Sequence, residues 1–433
     1  MQRRSFLFTA ASASRVLGAN DRVRVGLIGC GGRGRHDARH MRNAGGVDFI
    51  AVCDVDRTRR EQAQAWAGPD ARPFGDFRRL LEQKDVDAVL IATPDHWHAI
   101  PMIAACEAGK HVYVEKPLSH SIVEGRAMVE AARRTRLVVQ AGTQQRSAVH
   151  FPECAELVQS GKLGQVRFVR VWNYVNMYPK GIGRAPDSDP PDGLDWDFYL
   201  GPAPKRPFNR LRFGGTYRWF WDYSGGYITD FGTHRFDTVY QIMGDTHSPR
   251  TVAAAGGKFT LEDAGEVPDL VQATYQFDGW VLSYEGCQTN AHGVGGRTPG
   301  LQYYRARDEH DRPNGMAFYG TAGTLIADRY AYEVYPEPGS ALERKTVQSY
   351  DATDRHTKNF IEAIRGTARQ TAPIALGHRA TTVALLGNIA FHSGHKIYWD
   401  ADKERCTNDP AANRLLGRPG RKPWDLIPCP TCS

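Results

Sequence analysis

The chain has 433 residues, beyond the usual size of one domain, so at least two domains are expected. Hydrophobic residues at 41% and charged residues at 24% are ordinary globular proportions, which excludes collagen-like, low-complexity and wholly disordered chains. The net charge of +7 is spread without a run of basic residues, so there is no nucleic-acid footprint, and no apolar stretch is long enough to span a membrane.

The chain opens Met1-Gln2-Arg3-Arg4-Ser5-Phe6-Leu7, which resembles a twin-arginine export signal, and continues in small residues to Ala11-Ser12-Ala13, a cleavage-like triplet. Residues 1–18 are therefore set apart from the fold. The expectation is periplasmic export; the alternative is a cytoplasmic protein with a basic tail.

From Arg22 to about Gly142, β-branched runs alternate with helical stretches, the pattern of a parallel sheet covered by helices. Strands are predicted at Val23 to Ile28, Phe49 to Cys53, Ala88 to Ala92, His111 to Val114 and Leu137 to Gln140. Helices are predicted at Thr58 to Ala67, His98 to Ala108 and Ile122 to Arg134, from apolar residues at i, i+3, i+4 spacing. This is a doubly wound domain over residues 21–142, in which ligands sit beyond the carboxyl ends of the strands.

The first strand runs into Gly29-Cys30-Gly31-Gly32-Arg33-Gly34, a G-x-G-x-x-G that opens a helix. In such a turn the first glycine permits the tight bend, the second admits a pyrophosphate and the third lets helix pack on strand. Twenty residues after Gly34, Asp54 ends the second strand, where a carboxylate can hold the adenosine ribose. NAD is the expected cofactor, with NADP kept open by Arg33 and Arg57 nearby in sequence. The next strand ends carry Thr93-Pro94-Asp95-His96-Trp97-His98 and Glu115-Lys116-Pro117, ionisable groups where the nicotinamide half would lie.

After Gly142 the texture changes, and residues 143–433 are expected to form an α+β domain with a large mixed, mostly antiparallel sheet. A helix from about Val149 to Gln159 leads to a strand from Val166 to Met177 and then a Pro/Gly/Asp/Trp-rich loop from Tyr178 to Tyr217; loops of such length usually carry function. Further strands are predicted at Thr251 to Ala255, Leu270 to Phe277, Trp280 to Gln288 and Met316 to Tyr319, then helices at Arg355 to Arg365 and His378 to Ser393 and a last strand, Lys396 to Trp399. Cys30, Cys53, Cys106 and Cys154 read as small buried hydrophobes. Cys429-Pro-Thr-Cys432 is a single pair and, with no histidine at ligand spacing, implies no metal.

These motifs together resemble the Gfo/Idh/MocA oxidoreductase family. The glycine turn, the acid after the second strand, Thr93-Pro94 with His98, and Glu115-Lys116-Pro117 carry the likeness. It continues through Ala141 to Arg146, Trp196 to Pro202, Gly225 to His234 and Asn388-Ile389-Ala390, and it most resembles the branch that often begins with twin-arginine signals. The resemblance implies hydride exchange between a nicotinamide and a secondary hydroxyl of a sugar, glycoside or cyclitol. It assigns Lys116, Asp230 and His234 to catalysis, His234 taking the hydroxyl proton, Lys116 holding the oxygen and Asp230 orienting the cluster. A spacing of four places Asp230 and His234 on one face if a helix starts there.

The expected cofactor residues are Gly29, Cys30, Gly31, Arg33, Gly34, Asp54, Thr93, Pro94, His98, Glu115, Lys116 and Gln144. Trp196, Arg218 and Trp219 are the expected substrate contacts, with Trp97, Trp172 and Trp221 as further stacking candidates. A small carbohydrate is the expected partner, along with a homo-oligomer through the C-terminal domain. One alternative on the same scaffold is glycoside hydrolysis by a redox-neutral cycle on bound NAD, which suits an exported enzyme; another is a non-catalytic sugar or dinucleotide sensor.

Overall fold

The computed structural model describes residues 22–245, 248–294, 296–307, 312–425 and 427; the arginine pair and the Cys429/Cys432 pair lie outside them. The first sheet is assembled from β1 (Val23–Ile28), α1 (Gly32–Asn43), β2 (Val47–Cys53), α2 (Arg57–Ala67), β3 (Arg72–Phe74), α3 (Phe77–Leu81), β4 (Ala88–Ile91), α4 (Ala99–Glu107), β5 (His111–Glu115), α5 (Ile122–Thr135) and β6 (Val139–Gly142). Its strands pair in parallel in the order β3-β2-β1-β4-β5-β6. β4 is buried along its whole length, as a strand covered on both faces must be. Winding reverses between β1 and β4, which opens a crevice at their carboxyl ends. The sequence showed neither β3 nor α3, since elements of three and five residues are too short to display a period.

The second sheet follows α6 (Phe151–Gln159). β7 (Phe168–Asn176) leads into a long segment that holds α7 (Trp196–Leu200) and ends at α8 (Thr233–Met243). Then come β8 (Thr251–Gly257), β9 (Leu270–Gln276), β10 (Val281–Cys287), β11 (Thr289–Asn290), β12 (Asn314–Tyr319), β13 (Gly323–Ala327), β14 (Ala331–Pro336) and β15 (Lys345–Gln348). The strand order is β15-β14-β13-β12-β7-β10-β9-β8, and β11 pairs with β7. β7 and β10 are parallel; the other pairs among these strands are antiparallel. β9 alternates exposed and buried residues, so one face is packed and the other open. Val171, Tyr275 and Tyr284 of the packed face share a core with Phe236 and Val239 of α8.

α9 (Thr353–Ile364) and α10 (Ile374–Ser393) follow, and β16 (Ile397–Asp400), β17 (Arg405–Cys406) and α11 (Pro410–Arg414) close the chain's described part. β16 adds to the sheet edge beside β8. Leu386 and Ile389 of α10 join the second core. α9 instead turns back: Phe360 and Ile361 pack among Val23, Val25 and Tyr113 of the first sheet.

The glycine turn is fixed by contact. Gly29 has φ +91°, and a Cβ there would lie 2.7 Å from the backbone of Ala92. A Cβ on Gly34 would lie 2.0 Å from the Gly29 carbonyl oxygen, whereas one on Gly32 meets nothing within 4 Å. Gly34→Ala should therefore destabilise the protein by about 1–3 kcal/mol or more through overpacking. Gly32→Ala should be neutral or slightly stabilising, as alanine is the better helix former. Urea midpoints of the two variants check this, and equal midpoints would contradict the close approach.

Candidate active site

A cleft of about 730 Å³ runs from the glycine turn to the head of α8, within the size range of cofactor and substrate sites. At one end Gly29, Gly31 and Arg33 meet the N-terminus of α1, where free N–H groups and the helix dipole favour an anion. Asp54 lies beside them, its Oδ2 accepting from the Cys30 N–H at 2.7 Å and its Oδ1 from the Asp56 N–H at 2.9 Å. Burial pushes the Asp54 carboxyl up despite these bonds and the nearby Arg59. Thr93 lines the cleft with a buried hydroxyl that has no partner. His98 bridges the ends of β4 and β5, its Nδ1 2.7 Å from the Pro117 carbonyl oxygen and its Nε2 2.9 Å from that of Thr93.

An open glycine turn at a helix N-terminus, a carboxylate after β2 and an orphaned hydroxyl after β4 suit a dinucleotide along this edge. Arg33 is turned inward, its Nη2 3.0 Å from both Asp37 Oδ1 and Glu115 Oε1. Arg57 is not on the cleft wall, where Arg35 and Arg59 stand instead. Glu115 also accepts from Gln144 Nε2 at 2.6 Å. Burial opposes its charge, but Arg33 and Lys116 hold its carboxyl below the usual range.

At the other end Lys116 Nζ donates to the Asp230 carbonyl oxygen at 2.7 Å and to Asp230 Oδ1 at 2.5 Å. Arg218 Nε lies 3.1 Å from Asp230 Oδ2. Burial would raise the Asp230 carboxyl, but Arg218 and Lys116 outweigh it and hold it well below the ordinary value. Asp230 sits in a π-helical turn, Ile228–Gly232, that runs straight into α8; such turns are frequent at functional sites. Asp230 and His234 both line the cleft across that junction. Burial, followed by the charges of Lys116 and Arg329, lowers the His234 imidazole well below its ordinary value. Its Nδ1 is buried without a partner, so Nε2 is the nitrogen open to a substrate.

The oxidoreductase family model described as an NAD-binding Rossmann fold matches residues 23–143, and the model of its C-terminal alpha/beta domain matches 152–303 and 332–426. The chain belongs to the Gfo/Idh/MocA oxidoreductase family. A myo-inositol 2-dehydrogenase of Thermotoga maritima is 25% identical over 373 residues, 85% of this chain and 95% of that protein. An uncharacterized oxidoreductase of Rhizobium meliloti is 32% identical over 166 residues, 37% of this family member and about half of the relative's own length, 49%. A glycosyl hydrolase family 109 protein of Shewanella putrefaciens is 39% identical over 124 residues, 27% of each chain. The structure of levoglucosan dehydrogenase with NADH and levoglucosan superposes with a TM-score of 0.64 at 18% identity, covering 87% of this chain and 99% of that one.

Within this Gfo/Idh/MocA fold the cleft gathers Gly29, Gly31, Arg33, Asp54, Thr93, Pro94, His98, Glu115, Lys116, Arg218, Trp219, Asp230 and His234. It does not gather the others. Cys30 and Gly34 act through backbone geometry, and Gln144 lies buried behind Glu115. Trp196 corrects an expectation. Its ring stacks on Tyr199 at 4.9 Å and its Nε1 donates to the Arg206 carbonyl, because it anchors its own loop. Trp172 is likewise core, donating to the Arg312 carbonyl, and Trp221 is off the cleft against His392. Trp97 does reach the cleft wall. Sequence reasoning passed over Tyr199, Phe213, Tyr217, Tyr304, Arg305 and Arg329. Only Tyr199 had a signal, as part of the Trp196 to Pro202 motif. Among the described residues no group of metal-ligating side chains occurs, and no helix is long and apolar enough to cross a membrane.

Asp54→Ala should weaken NAD binding by about 1.5–3 kcal/mol for each ribose hydroxyl the carboxylate holds. Calorimetric titration of NAD checks it, and an unchanged affinity removes Asp54 from the cofactor site.

Proposed function

We propose that the protein is an NAD-dependent oxidoreductase that exchanges hydride with a secondary hydroxyl, or the matching ketone, of a sugar, glycoside or cyclitol. One observation carries this reading: the cleft that starts at the glycine turn ends on Lys116, Asp230 and His234, groups able to hold an oxygen and move its proton. A bound nicotinamide would supply the hydride acceptor or donor. The remaining chemistry belongs to the chain. Lys116 spends two N–H groups on Asp230 and keeps its third for the reacting oxygen. His234, neutral through burial, takes the hydroxyl proton at Nε2 during oxidation and returns it during reduction. Asp230 is held too acidic to serve as that base; it aims Lys116 and Arg218. Trp219 and Tyr227, whose ring centroids are 6.0 Å apart, offer apolar faces to a sugar ring.

The likeness to a glycosyl hydrolase family 109 protein supports a second reading, a redox-neutral hydrolysis in which the sugar is oxidised, eliminated, hydrated and reduced on one resident NAD. Export through the arginine pair would favour this form, since no free nicotinamide pool exists outside the cytoplasm. Denaturing the purified protein and identifying the released nucleotide, with glycoside cleavage and reduced-nicotinamide absorbance measured side by side, separates the two.

Lys116→Ala and His234→Ala should each retain bound nucleotide and lower turnover by about 10² or more. The sign of the pH dependence follows from the lowered imidazole. A histidine base is active when unprotonated, so the acid limb of kcat/KM should fall below the ordinary histidine value of about 6.5. Rate profiles check this; a limb at or above that value removes His234 as the base.

A further inference from the structure

The proposed reaction makes no use of two arginines on the cleft wall beyond His234. The guanidinium of Arg305 lies 4.3 Å from the Phe231 ring centroid and 5.6 Å from that of Tyr304, and the guanidinium of Arg329 lies 4.3 Å from the same Tyr304 ring. All four residues line the cleft. Arg235, 1% exposed, places a third guanidinium 5.9 Å from Tyr304.

Among the described residues counter-charge is limited: the buried Asp328 accepts from the Tyr304 N–H at 2.9 Å and partly offsets Arg235. Asp230 is committed to Lys116 and Arg218. Arg329 reaches Asp351 only at 3.8 Å, and its Nε is buried without a partner. Among the described residues no carboxylate pairs with Arg305 or Arg235. Burial would raise the Tyr304 hydroxyl, yet Arg329, Arg305 and Arg235 outweigh it and lower that group. Crowded like charges repel and cost stability, so such a cluster is poised for an anion. The cofactor's pyrophosphate does not meet that need, because its place is the glycine turn at the opposite end of the cleft.

We infer that the substrate carries an anionic substituent, a ring carboxylate or an ester of phosphate or sulfate, seated between Arg305 and Arg329. Aromatic contacts hold both guanidinium groups in place, and a planar guanidinium can grip a carboxylate or ester oxygens through paired N–H groups. The anion site stands on its own charges; only the placing of the reacting hydroxyl at Lys116 and His234 rests on the reading proposed above.

The test is calorimetric titration of the NAD-loaded full chain with matched probes: glucose, glucuronate, glucose 6-phosphate and glucose 6-sulfate. At least one anionic probe should bind about ten- to a hundred-fold more tightly than glucose, the scale of charge-assisted hydrogen bonds, and the tightest of the three identifies the substituent. Arg329→Met, and separately the exposed Arg305→Met, should each cut that preference by about ten-fold, with nucleotide content showing that the variants are folded. Glucose binding as tightly as every anionic probe overturns the inference, as does the absence of saturable binding by any probe, or an anion preference that survives both substitutions. Formation of reduced nicotinamide is recorded in parallel. Arginine-dependent anion binding without turnover of any probe leaves the anion site standing and counts against the oxidoreductase reading, whereas turnover of glucose without anion preference does the reverse.

Discussion

The carboxylate of Asp230 is buried, and burial alone would neutralise it; Lys116 and Arg218 keep it charged. The three come from separate parts of the chain: Lys116 follows β5 of the first sheet, Arg218 lies within the long segment between β7 and α8, and Asp230 occupies the π-helical turn before α8. Losing one partner of a buried ion cluster costs about 3–5 kcal/mol, because a charge is left without compensation. The geometry offered to a substrate hydroxyl is thus tied to the seating of one domain on the other. Within the second domain Asn388 of α10 steadies the turn itself, its Nδ2 donating at 2.8 Å to the Gly225 carbonyl just before it.

The segment between β7 and α8 is what roofs the cofactor edge. It has its own aromatic core, with Trp196, Tyr199, Phe208, Tyr217 and Tyr223 buried together. It is pinned to the first domain through Asp95, 2% exposed, which accepts from the Tyr217 hydroxyl at 2.8 Å and the Ser224 hydroxyl at 2.5 Å. Arg57 N–H donates to the Gly193 carbonyl and Asp195 N–H to that of Val55, and Trp97 Nε1 reaches the Tyr199 carbonyl at 2.8 Å. Residues that looked like a sugar-stacking set therefore serve mainly to hold the roof down, and Arg218 and Trp219 at its far end are the ones delivered to the cleft.

What the sequence made legible was local. β1 occupies Val23–Ile28 as its β-branched run indicates, and the glycine turn, Asp54 and the Glu115-Lys116 strand end follow from strand position alone. Asp230 and His234 could be paired by motif, but not through regular helix geometry, because a wide turn precedes α8. β15, at Lys345–Gln348, escaped notice because it is short and polar, whereas β13 and β14, as long as β5 and β1, escaped it without that reason. Arg305 and Arg329 gave no local sign, since their meeting around Tyr304 depends on two separate loops. Nor could a periodic pattern show which sheet would bury Phe360.

That burial of Phe360 has a consequence for the order of events during synthesis. The inner surface of β1 is completed by residues of α9 that are translated more than three hundred positions later. His356 adds polar closure, its Nε2 donating to the Ala141 carbonyl while the Gln140 side chain donates to its own carbonyl. Domains commonly fold in turn as they emerge, but here the nascent nucleotide-binding half keeps an apolar strip uncovered until α9 arrives. The two sheets are therefore separate in architecture and joined in maturation, and a ribosome stalled before α9 would hold a half-made domain whose natural associates are chaperones.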